Sequence, residues 1–346
     1  MKSTLFLASL MSTPWALQPD VMHAYAKVLA RQYGDKFVAE GGVERPIESR
    51  SIAVAPRSGS SPWSRGSIAV MSLRGVIMPR AGMLEMCGGG TSVEIFTTAF
   101  RSAMADETVG QILIDIDSPG GSVYGVGELA AEIRAARGTK PVVGIANHVA
   151  ASAAYWIGSA CSELYVTPGG QVGSIGVIVA HEDLSKALEK AGVNVTLITA
   201  GKYKAEGNSY APLDAEARAS IQADVDGYGA DFTNSVARGR RVGVDQVRKK
   251  MGQGRMLRGN AAQVASMVDG VATFDDVIRR MQASAQRTTA TPAGAVGHAS
   301  LERNRARLAG LAAETARAPR AQSTAGAAAI ARRNQYRARL LELSSS

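Results

Sequence analysis

Gln111-Ile112-Leu113-Ile114-Asp115-Ile116-Asp117-Ser118-Pro119-Gly120-Gly121 reads as a strand that ends in a glycine turn. Ile112, Ile114 and Ile116 share one face, because successive side chains of a strand alternate. Upstream, residues 67–78 carry the β-branched alternation of a strand, and 91–105 read as a helix. Downstream, the pattern gives a helix over 122–137, a strand over 141–145, a helix over 150–160 and a strand over 163–167. Residues 172–180 read as extended, 182–191 as a helix and 193–200 as a further strand. Strands alternating with helices of about 10–15 residues mean βαβ units, hence an α/β fold with a mainly parallel sheet and flanking helices.

Beyond Lys204 the chain becomes helical. Leu213-Asp214-Ala215-Glu216 places acids at the start of a long helix running to about Arg238. Shorter helices are expected near 244–251, 260–268 and 274–283. Residues 19–33 read as an amphipathic helix, with Val21, Tyr25, Val28 and Leu29 at helical spacing. Residues 40–66, rich in Gly, Ser, Pro and Arg, read as a linker. The organisation expected is an N-terminal helical extension and linker over 1–66, a main domain over 67–284, and an Arg/Ala-rich tail over 285–346.

The 346 residues carry a formal net charge of +9. The tail has ten arginines against three glutamates, so most of the excess lies there. Its two basic stretches, around residues 303–308 and 333–340, have too little apolar surface to fold alone; a helical or disordered tail that orders on a partner is expected. A basic tail suits an acidic partner surface, with nonspecific nucleic-acid contact the weaker alternative. Two cysteines, Cys87 and Cys161, make no disulfide framework and no zinc motif, so neither metal nor cofactor is expected. Leu5-Phe6-Leu7-Ala8-Ser9-Leu10-Met11 only faintly imitates a signal peptide, and the chain reads as non-secretory. No stretch reaches the roughly 18–20 apolar residues of a membrane span.

The chemistry concentrates in His148-Val149-Ala150-Ala151-Ser152-Ala153-Ala154-Tyr155-Trp156, one hydroxyl in a small, apolar run. A serine hydroxyl needs a base within hydrogen-bond reach. Lysine serves only when neutral, and desolvation among apolar groups favours that form. The glycines at 120 and 121 expose backbone N–H groups to a developing oxyanion, with the N–H of Ala153 beside the serine. Gly201-Lys202-Tyr203-Lys204 offers two candidate bases, Lys202 and Lys204.

Residues 114–121, 150–157, Gly173-Ser174-Ile175-Gly176-Val177 and 201–204, in that order, resemble the signal-peptide-peptidase-A-type Ser/Lys proteases. The resemblance spans residues 67 to 281 and implies the ClpP/crotonase-like fold. It implies Ser152 as nucleophile, Lys204 as general base, Gly121 and Ala153 as the oxyanion hole, and Ser174 as the residue that orients the lysine. Ala153-Ala154 departs from the Gly-Gly the family often has there, which narrows the pocket but keeps the N–H donors. Ala180-His181, residues 187–190, and Lys204 followed by residues 206–210 resemble the capsid-assembly (prohead) proteases of tailed bacteriophages within that family. The resemblance implies an endopeptidase that processes scaffold, portal or capsid proteins, and its own tail, inside the assembling prohead in the host cytoplasm. Homo-oligomers go with it, and an alanine-lined cleft suits small substrate residues.

Competing readings remain. A Ser/His/Asp triad would use His181 with Asp115, Asp117 or Asp183; His148, four residues before Ser152, reads as a packing neighbour. Gly125-x-Gly127-x-x-Ala130 imitates a dinucleotide fingerprint but falls inside a helix, away from the strand-to-helix turn. G-x-S-x-G, S-x-x-K and Walker A motifs do not occur. A crotonase-like acyl-CoA enzyme, a non-enzymatic capsid assembly or scaffold factor, and a bacterial signal-peptide-peptidase-like protease are the alternative functions.

Overall fold

β6 (Val109–Ser118) lies inside the larger of two sheets in the computed structural model, which describes residues 14–18, 49–52, 67–80 and 90–290. It pairs in parallel with β3 (Ser67–Arg74) on one side and β8 (Val142–Ala151) on the other. β8 pairs in parallel with β9 (Glu163–Val166) at its start and β10 (Gln171–Gly173) at its end. Two-residue β12 (Gly270–Val271) extends β9 in parallel. The antiparallel additions are at the margins, β11 (Met256–Arg258) on β10 and β2 (Ser49–Ile52) on β3.

Helices cover both faces, which is why β6 is apolar almost throughout. Ile112, Ile114 and Ile116 pack with Phe96 and Phe100 of α1 (Val93–Ala105), Leu129 and Ile133 of α2 (Val126–Ala136), residues 153–157 of α3 (Ala153–Ser159), and Phe232 and Val236 of α5 (Ala215–Arg240). Leu113 faces the other way, toward Val277, Ile278 and Met281 of α8 (Phe274–Ala290). Short α4 (Ser185–Lys190), α6 (Val244–Lys250) and α7 (Gly259–Val264) complete the described helices. The expected architecture, a mainly parallel sheet flanked by helices, is the one observed.

A second sheet has the order β1 (Trp15–Leu17), β7 (Gly120–Ser122), β4 (Val76–Met78), β5 (Gly90–Ser92). β3 and β6 each hand the chain to it through a glycine with positive φ, Gly75 at 66° and Gly120 at 100°. The two turns are tied together: the Gly75 N–H donates to the Asp117 carbonyl, and the Ser118 hydroxyl donates to the Gly75 carbonyl at 2.6 Å.

Several boundaries differ from expectation. The helix expected over 122–137 begins at Val126, because Gly120–Ser122 is a strand. Part of the expected linker, Ser49–Ile52, is an edge strand held by β3. Residues 193–200 form no strand: no neighbouring edge pairs with them, and Val195, Leu197 and Ile198 lie exposed, Ile198 at 95%. The helix expected over 19–33, Cys87, and the tail beyond 290 lie outside the described residues. Cys161 is a free, buried thiol whose pKa burial pushes up to about 12. Among the described residues, no helix is long and apolar enough to cross a membrane.

Candidate active site

β8 ends at Ala151 and α3 begins at Ala153, so Ser152 is a one-residue corner between strand and helix. Its backbone sits at φ 53°, ψ −117°. L-residues with a side chain avoid positive φ, and such strain persists where surrounding contacts hold it. Here the Ser152 N–H donates to the Gly173 carbonyl at 2.7 Å, and its own carbonyl accepts from the Trp156 N–H at 2.8 Å. The hydroxyl is directed at the Gly176 carbonyl, 3.4 Å away. Ser152 is 1% exposed and flanked by Ala150, Ala151, Ala153 and Ala154, all fully buried. The sequence-expected dry surroundings are therefore present.

Gly120 approaches this corner from the second sheet. A Cβ on it would stand 3.0 Å from Ser152 Cβ, 2.9 Å from the Ala151 carbonyl oxygen and 2.2 Å from the Ala16 carbonyl oxygen. No side chain fits there, so the glycine is a condition of the approach. Its N–H donates to Ser118 Oγ at 3.2 Å. Gly121 is wedged between β1 and β4, where a Cβ would meet the Ile77 carbonyl oxygen at 1.9 Å. Ala153 opens α3, where first-turn N–H groups have no intrahelical acceptor. Ser174 is buried, also at positive φ (54°), and belongs to the 173–176 segment that passes Ser152.

Lys204 does not join this cluster. It is exposed in the turn that follows Gly201, its backbone N–H bonded to the Gly201 carbonyl. No hydrogen bond links its ammonium to Ser152 or Ser174. Lys202 is engaged elsewhere: its ammonium donates to Tyr203 Oη at 2.7 Å and to Glu216 Oε1 at 3.1 Å. Those hydrogen bonds, Tyr203 first, raise its pKa, the wrong direction for a base. The two described histidines are also occupied away from the serine. His181 Nε2 pairs with the Asn208 carbonyl at 3.1 Å, and His148 Nδ1 lies 3.3 Å from Asp117 Oδ2 on the surface. Asp115 is a buried carboxylate held by Arg74 at 2.7 Å and Asn147 at 3.2 Å. Among the described residues, no cluster of three or more His, Cys, Asp or Glu is poised to hold a metal.

Sequence reasoning missed one participant. β1 pairs antiparallel with β7, in the register Trp15 to Ser122, Ala16 to Gly121, Leu17 to Gly120, and bridges Ile178 on its other side. Three residues carry too short a pattern to be read as a strand.

A strained serine at the mouth of a glycine turn on a parallel α/β sheet has the form of a serine hydrolase site. Residues 134–288 match peptidase family S49. It is 35% identical over 214 residues to the head-tail preconnector protein GP5 of Enterobacteria phage P21, covering 62% of this chain and 42% of that one. It is 32% identical over 241 residues to capsid assembly protease C of Escherichia phage lambda, covering 68% and 55%. A putative signal peptide peptidase SppA of Enterococcus faecium is 28% identical, over 66% of each chain. The chain thus spans about half the length of the two phage relatives.

Proposed function

We propose that the protein is a serine endopeptidase that cleaves scaffold, portal or capsid proteins during maturation of a phage head, through a Ser152/Lys204 dyad. The observation that carries this reading is the strained Ser152 corner, with Gly120 pressed against it. The match to peptidase family S49 and the similarity to a capsid assembly protease support it. In the proposed reaction, Ser152 Oγ attacks the scissile carbonyl while its proton passes to the neutral Lys204 amine. The oxyanion is received by the N–H groups of Gly121 and Ala153, and the amine leaves with the proton. Water activated by Lys204 then hydrolyses the acyl-enzyme.

This chemistry requires Lys204 to reach Ser152, which the exposed turn does not provide as it stands. Residues 193–200 offer the means. They carry a strand-like apolar alternation with no partner, and Val195, Leu197 and Ile198 gain from being covered. Docking of the 193–204 segment over the serine, in the same copy or a neighbouring one, completes the dyad and fits the homo-oligomer reading. Ser174 would then steady the amine.

Ser152→Ala is expected to lower peptide-bond cleavage by about 10³-fold or more, and Lys204→Ala by about 10²-fold or more, while Lys202→Ala retains activity. Mixing the two inactive variants tests the source of the lysine: recovered cleavage means that neighbouring copies share the site. Cleavage indifferent to Ser152→Ala would leave the non-enzymatic assembly factor as the better reading.

A further inference from the structure

Two backbone edges flank residues 14–18 beside Ser152: β7, which has β4 on its far side, and the extended chain at Ile178. Unpaired strand edges invite a partner, and a gap one strand wide accepts an extended peptide by strand addition. In this structure the gap is filled by the chain itself. The Trp15 N–H donates to the Ile178 carbonyl and the Ile178 N–H to the Trp15 carbonyl, both at 2.9 Å. On the opposite side, the Gln18 N–H donates to the Pro119 carbonyl at 3.1 Å, and the Val123 N–H to the Pro14 carbonyl at 3.5 Å. Antiparallel ladders alternate bonded and non-bonded pairs. With Gln18/Pro119 and Pro14/Val123 bonded, Ala16/Gly121 is the bonded pair between them. The Ala16 carbonyl therefore faces the Gly121 N–H, the group assigned above to the oxyanion.

The same carbonyl oxygen and Ser152 Cβ lie 2.2 and 3.0 Å from one point, the position of a Cβ on Gly120. The inserted strand thus runs directly past the serine. Trp15, Ala16 and Leu17 are all buried, Ala16 completely. We propose that residues 14–18 are an internal plug of the peptide-binding cleft, and that a substrate strand enters only when the plug leaves. The plug also reports what the cleft accepts: an extended segment antiparallel to β7, a small residue opposite Gly121 and bulky apolar residues on either side. The proposal rests on the reading of the Ser152 cleft as a peptidase site.

The test uses the full chain and two readouts. A fluorescein-labelled peptide of residues 12–18 is titrated against Ser152→Ala protein, alone and combined with Trp15→Pro or Ala16→Asp. Trp15→Pro deletes the N–H bonded to Ile178, and Ala16→Asp puts a charge where no solvent reaches. Each plug variant is expected to bind the peptide at least about tenfold more tightly than the protein with the plug intact, because apparent affinity scales with the open fraction. Equal binding by plugged and unplugged proteins, or none by natively folded variants, overturns the proposal. In the Ser152-intact background, a fluorophosphonate is expected to label the plug variants faster than the unaltered protein; labelling of all of them at one measurable rate also overturns it. Tighter peptide binding by the plug variants with no labelling of any protein keeps the plug and rejects Ser152 as nucleophile, so the two failures are distinguishable. Should both variants misfold, amide exchange on the unaltered chain decides. Slow exchange at Trp15 and Ile178 supports the plug, and exchange at the rate of an unstructured peptide rejects it.

Discussion

Gly239 shows how tightly the serine's helix is held. A Cβ there would stand 2.3 Å from the Ser159 carbonyl oxygen at the end of α3. Arg137 reinforces the junction, its guanidinium donating to the carbonyls of Ala160 at 2.7 Å, Ser159 at 3.2 Å and Gly239 at 3.0 Å. Since backbone cannot yield as a flexible side chain does, Gly239→Ala is expected to destabilise the fold by about 2–3 kcal/mol. Gly227, on the same helix with open space around it, is the control. Gly227→Ala is expected to stabilise by about 0.5–1 kcal/mol, the ordinary helix-propensity gain. Urea unfolding of both variants checks the contrast. At this scale the sequence disclosed the small, apolar run around Ser152 but not how it is held. Ser152 and its alanine neighbours were legible from composition and motif order. Its positive φ was not, because that arises from bonds to Gly173 and Trp156 that no local pattern encodes.

Among the elements, long apolar strands were readable, and their ends were not. The alanine run at 150–154 has high helix propensity, yet β8 extends through Ala151 because Val149, Ala150 and Ala151 pair with Gln171, Val172 and Gly173. Residues 193–200 are the reverse case, β-branched and alternating but without an edge to join. β-Propensity describes fitness for a pleated surface and needs a neighbour to act on. α5 was legible at its start: Asp214 caps it, its carboxylate accepting from the Ala217 N–H at 2.7 Å. After Ala217, however, the helix buries no residue until Phe232, so its first half gains little from packing. Asp214→Ala is expected to cost about 1 kcal/mol locally. It should appear as faster amide exchange over residues 215–221, with little change in the global unfolding midpoint. A midpoint shift matching the local change would instead mean that this half of α5 unfolds with the core.

For the molecule as a whole, the Arg240–Asp269 pair links distant parts of the chain and sets an acid limit. Arg240 Nη1 donates to Asp269 Oδ2 at 2.8 Å and Arg240 Nε to the Ser266 carbonyl, while Asp269 Oδ2 also accepts from the Leu164 N–H. One carboxylate thus joins α5 to the start of β9, and its contact with Leu164 spans 105 positions, which motif reading does not reach. Burial pushes the Asp269 pKa up, but the hydrogen bond and charge of Arg240 outweigh it, and the net direction is down. A folded-state value below the unfolded one, near 3.9, stabilises the fold above that pH and is lost as pH falls through the folded value. Asp269→Asn should remove this contribution and strand a guanidinium that is 6% exposed. The expected cost at pH 7 is about 2 kcal/mol, less than the roughly 3–5 of a fully buried pair, because the carboxylate is 39% exposed and solvent screens it. Urea midpoints from pH 7 to 3 should therefore converge for the unaltered protein and the variant as the acid limit is reached. Curves that stay parallel throughout would assign the acid sensitivity to other carboxylates, such as Asp106 and Asp276, whose pKa values are lowered first by their hydrogen bonds to Thr108 and Thr273.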